Sequence, residues 1–230
     1  MTVSNEQGFF RRLAAFLATG IGRKILMALT GLALIVFLVA HLAGNLLILS
    51  SPHAFNAYSH RLISHPLVYV AEVLLLVGFV AHLVVGIVVT RGNRAARPIR
   101  YVMTKRAGHT SHKSFASTTM ILSGVVLLIF VPVHVWTFKF GPYYESTEPG
   151  IRDLHRLVIE VFRQPGYVAF YLVALTIIGF HLWYGFESAW ESLGFGYHTG
   201  LRRLGQVLAL ALSGGFILIP LVIFLLQAPS

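Results

Sequence analysis

Eleven histidines stand in a chain of 230 residues. Seven of them (His53, His60, His65, His109, His112, His155 and His198) fall in polar stretches or at the ends of apolar runs. The other four, His41, His82, His134 and His181, fall one each inside long apolar runs. An ionisable ring inside an apolar span is expensive and marks a functional site by default. Imidazole is both the commonest metal ligand and a proton carrier. Two chemistries are therefore open to these four residues: holding a metal centre, or carrying protons and hydrogen bonds between helices. The chain has no cysteine. That excludes disulfides, thiolate zinc sites, iron–sulfur ligation and covalent haem attachment. Any redox group is held non-covalently.

Composition identifies the elements that carry these histidines. Apolar residues make up 56% of the chain and charged residues 11%, against about 25% charged in an ordinary soluble domain. Mean hydropathy is +0.75. A soluble enzyme and a disordered chain are both excluded. Five apolar runs, over 25–50, 66–90, 114–138, 165–186 and 204–226, each reach the length of about 20 residues that crosses the hydrocarbon core. They are apolar throughout rather than alternating, so they read as helices, which satisfy their own backbone in lipid. The expected fold is an all-α integral membrane protein: five transmembrane helices in one bundle, a single membrane domain over 1–230.

Loop charge sets the orientation. The N-terminal segment, the second-to-third connection and the fourth-to-fifth connection together hold 13 of the 18 basic residues, and the opposite side holds five. This predicts a cytoplasmic N-terminus and an external C-terminus. The same bias accounts for the net charge of +10 without nucleic acid. Within the segment 1–24, FFRRLAAFLAT (9–19) is too short to span and reads as an amphipathic helix on the cytoplasmic surface. On the outer side, 151–162 is expected to form a second surface helix.

The helix rise of about 1.5 Å per residue places the four histidines in depth. His41 lies about 24 Å and His134 about 30 Å from the cytoplasmic ends of their helices, which run outward. His82 and His181 each lie about 24 Å from the outer ends of helices that run inward. Two levels result: His41 with His134 near the outer face, His82 with His181 near the cytoplasmic face. A pair at each level suits two stacked haems, each iron held by two imidazoles. Filled axial positions leave no place for dioxygen, so the implied chemistry is electron transfer. Gly78 and Gly86 flank His82 at i±4, Gly185 follows His181 at i+4 and Gly44 follows His41 at i+3. Absent side chains there would admit a flat macrocycle, although glycine also serves plain helix packing.

Glu72 is the one acid in the second run, about 9 Å from its outer end. It reads either as a proton group at an outer quinone site or as a water-facing carboxylate near a helix end. Arg23, Lys24 and Arg91 at the cytoplasmic mouths, and Lys139 on the outer side, read either as haem-propionate contacts or as ordinary interfacial anchors. Trp136, Trp183 and Trp190 lie at span ends and read as interfacial anchors.

The runs GRKILMALTGLALIVFLVAHLAGNL (22–46), AEVLLLVGFVAHLVVGI (71–87), VPVHVWTF (131–138) and GFHLWYGFESAWESLGF (179–195) resemble the cytochrome b subunit of succinate dehydrogenases and fumarate reductases, in its single-subunit, five-helix, dihaem form. The resemblance covers nearly the whole chain. It implies a membrane anchor of succinate:quinone oxidoreductase (respiratory complex II), in the inner membrane. A flavoprotein that carries the dicarboxylate chemistry and an iron–sulfur subunit sit on its cytoplasmic face, and the complex is open to a higher oligomer. Electrons reach a membrane quinone through two haems b. Menaquinone suits chemistry near the outer face. His82 and His181 would ligate the inner haem and His41 and His134 the outer one. Some menaquinol-oxidising relatives carry Glu two residues before the fourth histidine, where this chain has Gly179. Members often carry Arg where this chain reads FASTTM (115–120). Two alternatives stand beside this reading: a cytochrome b subunit of a hydrogenase or formate dehydrogenase, and a haem-free anchor or transporter using the same histidines.

Overall fold

The computed structural model of the chain describes residues 3–95, 115–196 and 198–227. Its helices are α1 (Val3–Ala18), α2 (Gly20–Leu46), α3 (Pro52–Ser64), α4 (Leu67–Ala95), α5 (Phe115–Lys139), α6 (Leu154–Phe162), α7 (Pro165–Ser192) and α8 (Thr199–Gln227). A single 3-10 turn, Leu47–Leu49, follows α2. The described residues contain no strand, only an isolated bridge between Glu145 and Arg152. Five helices are long and apolar enough to cross a membrane: α2, α4, α5, α7 and α8. The protein is an all-α, multi-pass membrane protein. The basic residues Arg97, Arg100, Lys105, Arg106 and Lys113, with His109 and His112, lie outside the described residues.

The helices outrun the apolar windows. α7 continues to Ser192 through Glu187 and Glu191, and α4 to Ala95 through Arg91 and Arg94. Apolarity marks the part of a helix that lipid covers, whereas the i to i−4 backbone ladder continues into water wherever side chains permit. The bundle has two ends, one carrying α1 and the other, the far end, carrying α3 and α6. Thr19 starts α2: its side chain accepts a hydrogen bond from Gly22 N at 3.0 Å.

The helix α3 lies between two apolar runs, and its start is spelled in the sequence. Ser51 caps it by accepting from Ala54 N, and Pro52 occupies the first helical position. The helix expected over 151–162 begins at Leu154, because Asp153 is its N-cap and accepts from Arg156 N at 3.0 Å. The two short helices are joined by Asn56, which is buried. Its amide donates to Asp153 Oδ1 at 2.8 Å, and its carbonyl accepts from His155 N at 2.9 Å. Arg152 closes the C-terminus of α5, where carbonyls lack helical partners. Its guanidinium donates to the carbonyls of Phe138, Lys139, Gly141 and Pro142 at 2.9–3.3 Å.

The core runs along α7. Val168, Tyr171, Ala174, Leu175, Ile178, Leu182, Phe186 and Ala189 are buried there, at the three- and four-residue spacing of one helix face. That face meets α8, which buries Ala209, Leu212, Ile219 and Ile223. The α7–α8 contact is close: a Cβ at Gly179 would lie 2.7 Å from Ser213 Oγ. Ser213 in turn donates to the Leu175 carbonyl at 2.9 Å. By contrast, α4 buries none of its residues.

Candidate cofactor-binding centre

Helix packing decides which histidines meet. α2 packs on α4 and on α7, while α5 packs on α7 and thinly on α4. These four helices form a square, with α2 opposite α5 and α4 opposite α7, and α8 outside against α7 and α2. His41 of α2 and His134 of α5 face along one diagonal, with ring centres 5.7 Å apart and planes at 87°. His82 of α4 and His181 of α7 face along the other, at 6.4 Å and 69°. The first pair lies in the far half of the bundle and the second in the half nearer α1.

Two rings per level define what the site can hold. A bare zinc site takes at least three protein ligands, whereas a haem iron needs only axial ones. Among the described residues, no group of three or more His, Cys, Asp or Glu is gathered for a metal. With a metal–nitrogen bond of about 2.0–2.1 Å and roughly 1.1 Å more to each ring centre, two imidazoles on one iron stand about 6.3 Å apart. The observed ring-centre separations, 5.7 and 6.4 Å, lie within about 0.6 Å of that value, so the spacing of the rings suits a bis-imidazole iron at each level.

The surroundings of the two levels differ. The His41/His134 level is aromatic: Phe37 stacks on His41 at 5.1 Å, Phe216 lies at 5.6 Å, and Phe130 and Phe138 flank His134 at 5.7 and 5.4 Å. Tyr171 OH lies 3.2 Å from His134 Nδ1, and Asn45 Nδ2 lies 3.3 Å from His41 Nδ1. At the His82/His181 level the partners are small hydroxyls. Thr30 Oγ1 is 3.1 Å from His82 Nδ1, and Ser123 Oγ is 2.8 Å from His181 Nδ1. None of these four partners was singled out from sequence. Asn45 was legible as the i+4 neighbour of His41, while the other three reach across from a different helix.

The glycines beside the histidines divide. A Cβ at Gly44 would fall 2.5 Å from the Tyr58 ring, so Tyr58, not a macrocycle, fills that space. Met27 fills the space at Gly86, and Met120 reaches Gly185. Only Gly78 of the four faces open space. A different glycine, Gly31, admits the His82 ring, which would lie 3.1 Å from a Cβ there.

Glu72 and Lys139, assigned separate roles by the sequence reading, are paired side chain to side chain at the far end, both part-exposed. Arg23 is half-buried at the α1 end, and Lys24 and Arg91 are exposed there. Outside the spans, the Arg156 and Tyr144 hydrogen bonds hold the Glu160 carboxyl below its usual range. Burial pushes His155 below the ordinary histidine value.

The chain is 23% identical over 186 residues to the succinate dehydrogenase cytochrome b558 subunit of Bacillus subtilis (strain 168). The match covers 80% of this chain and 79% of that protein. The match agrees with the resemblance to a succinate dehydrogenase cytochrome b subunit. No protein-family model matches the chain, and no solved structure matches it.

Proposed function

We propose that this chain is the membrane cytochrome b subunit of a succinate:quinone oxidoreductase. In this reading it holds one haem b between His82 and His181 and a second between His41 and His134. The observation that carries the proposal is the facing of two imidazoles across each diagonal of the bundle, at two depths, at separations that fit one iron each. The similarity to the B. subtilis cytochrome b558 subunit supports the same reading.

When bound, the haems supply one-electron steps at six-coordinate iron. The chain's own residues do the rest. The imidazoles anchor each iron from two helices, which ties the redox path to the packing of the bundle. Phe37, Phe130, Phe138 and Phe216 keep water from the far level. A water-filled path for a haem-free transporter would have to pass between these aromatic rings, which favours the haem reading over that alternative. Glu72, paired with Lys139, offers a proton group at the far end, where quinone chemistry is placed; menaquinone suits that face. Lys139 serves a propionate only if it is shared with Glu72. Arg23, Lys24 and Arg91 are propionate candidates at the α1 end. A flavoprotein and an iron–sulfur subunit dock on that end, which faces the cytoplasm in an inner-membrane orientation. α1 would lie along the membrane surface there.

The test is a reduced-minus-oxidised spectrum with a haemochrome assay on the purified complex. Two low-spin haems b per chain are expected, and His82→Ala or His181→Ala should remove one and leave the other. A wild-type protein without haem would sink the proposal.

A further inference from the structure

The two hydroxyls at the His82/His181 level bear on which ring nitrogen carries the proton. Ser123 Oγ lies 2.9 Å from the Met120 carbonyl and 2.8 Å from His181 Nδ1. A hydroxyl has one proton and a carbonyl only accepts. The Ser123 proton therefore goes to Met120, its oxygen accepts, and His181 Nδ1 must be the donor. Thr30 repeats the arrangement. Its Oγ1 lies 2.8 Å from the Leu26 carbonyl, 3.1 Å from that of Met27 and 3.1 Å from His82 Nδ1. In this arrangement Nδ1 of both rings is the donor, and the Nε2 lone pair is the one left for a metal.

The His41/His134 level has no such device. Asn45 Nδ2 is a donor: it gives one proton to the His41 carbonyl at 2.8 Å, and it lies 3.3 Å from His41 Nδ1. Tyr171 OH can donate to His134 Nδ1 or accept from it. Neither partner forces a ring proton onto Nδ1.

We propose that Thr30 and Ser123 are positioning residues that fix His82 and His181 as Nδ1–H tautomers, so that both present Nε2 to one iron. This inference rests on the haem reading above. An imidazole whose Nδ1–H is accepted by a partner is a more basic ligand. More basic ligands favour the more positive iron and hold its reduction potential down. Removing either acceptor should therefore raise the potential of that haem and not of the other.

The test is an optical redox titration and a haem count on the complete complex, as wild type and with S123A, T30V, S123T, T30S and H181A. In S123A and T30V, one of the two titrating components should move to higher potential and the other should stay. The component that moves should be the one missing from H181A. S123T and T30S keep the hydroxyl and should titrate as wild type. Loss of one haem in S123A with retention in S123T would support positioning equally. Two haems with unmoved potentials in S123A and T30V would overturn the proposal, as would an equal shift of both components. Haem loss in both S123A and S123T would also overturn it, since position 123 would then act through packing. No haem in the wild-type protein would refute the functional reading itself, and this inference with it.

Discussion

The close approach of α7 and α8 at Gly179 yields a sharp prediction, two residues from a candidate ligand. A methyl group at 179 would meet Ser213 Oγ at 2.7 Å and Ser213 Cβ at 2.9 Å. Ordinary carbon contacts lie at about 3.5–4.0 Å. Rotating the Ser213 side chain removes only the first overlap, and it breaks the hydrogen bond to the Leu175 carbonyl, worth about 0.5–1.5 kcal/mol. The Cβ overlap yields only if the helices separate, and overpacking of this kind costs about 1–3 kcal/mol. Gly179→Ala should therefore destabilise the bundle by about 2–3 kcal/mol. Ser213→Gly deletes both offending atoms and should cost about 1–2 kcal/mol, from the lost hydrogen bond and the added helix glycine. The double variant should be little worse than Ser213→Gly alone, which is strong coupling between neighbours. Equilibrium unfolding in mixed detergent micelles, followed by circular dichroism, measures all four proteins. Wild-type stability in Gly179→Ala, or losses that simply add in the double variant, would refute the packing argument. The same geometry leaves no room for a longer side chain at 179 while Ser213 stays in place.

Two further predictions concern the far end. Arg152→Ala strips the last carbonyls of α5 of their charged donor and should cost about 2–3 kcal/mol in the same unfolding assay. Arg152→Lys should recover only part of it, since one ammonium cannot span four carbonyls held by a planar fork. Acid should loosen α6 in two steps, read as amide hydrogen-exchange protection against pH. His155 is held below 6.5 by burial, so its stabilising effect is complete above pH 6.5 and is lost as pH falls through its folded value. Glu160 is held below 4.5 chiefly by Arg156 and then by Tyr144, so its contribution is complete above pH 4.5 and is lost further down. Glu160→Gln should abolish the lower step and keep the upper one.

The sequence by itself determined the class, the number of spans and the level of each histidine. Those properties are local. An apolar run of about 20 residues in lipid has no alternative to a helix, and a fixed rise per residue converts position in the run into depth. The start of α3 was equally local, written in Ser51 and Pro52, though hydropathy passed over it. What only the tertiary structure decided are relations between helices, because depth says nothing about azimuth. The diagonal placement of α2 against α5 and of α4 against α7 comes from which faces pack on α7. The same packing brings Thr30 and Ser123 to the histidines of other helices, puts Tyr58 rather than a cofactor beside Gly44, and sets Ser213 against Gly179. The ion pair of Glu72 with Lys139 likewise joins two helices whose charges, read along the chain, belonged to separate arguments. Side-chain chemistry is carried by the sequence, but its partners are chosen by rotation and proximity of whole helices, which burial along α7 fixes.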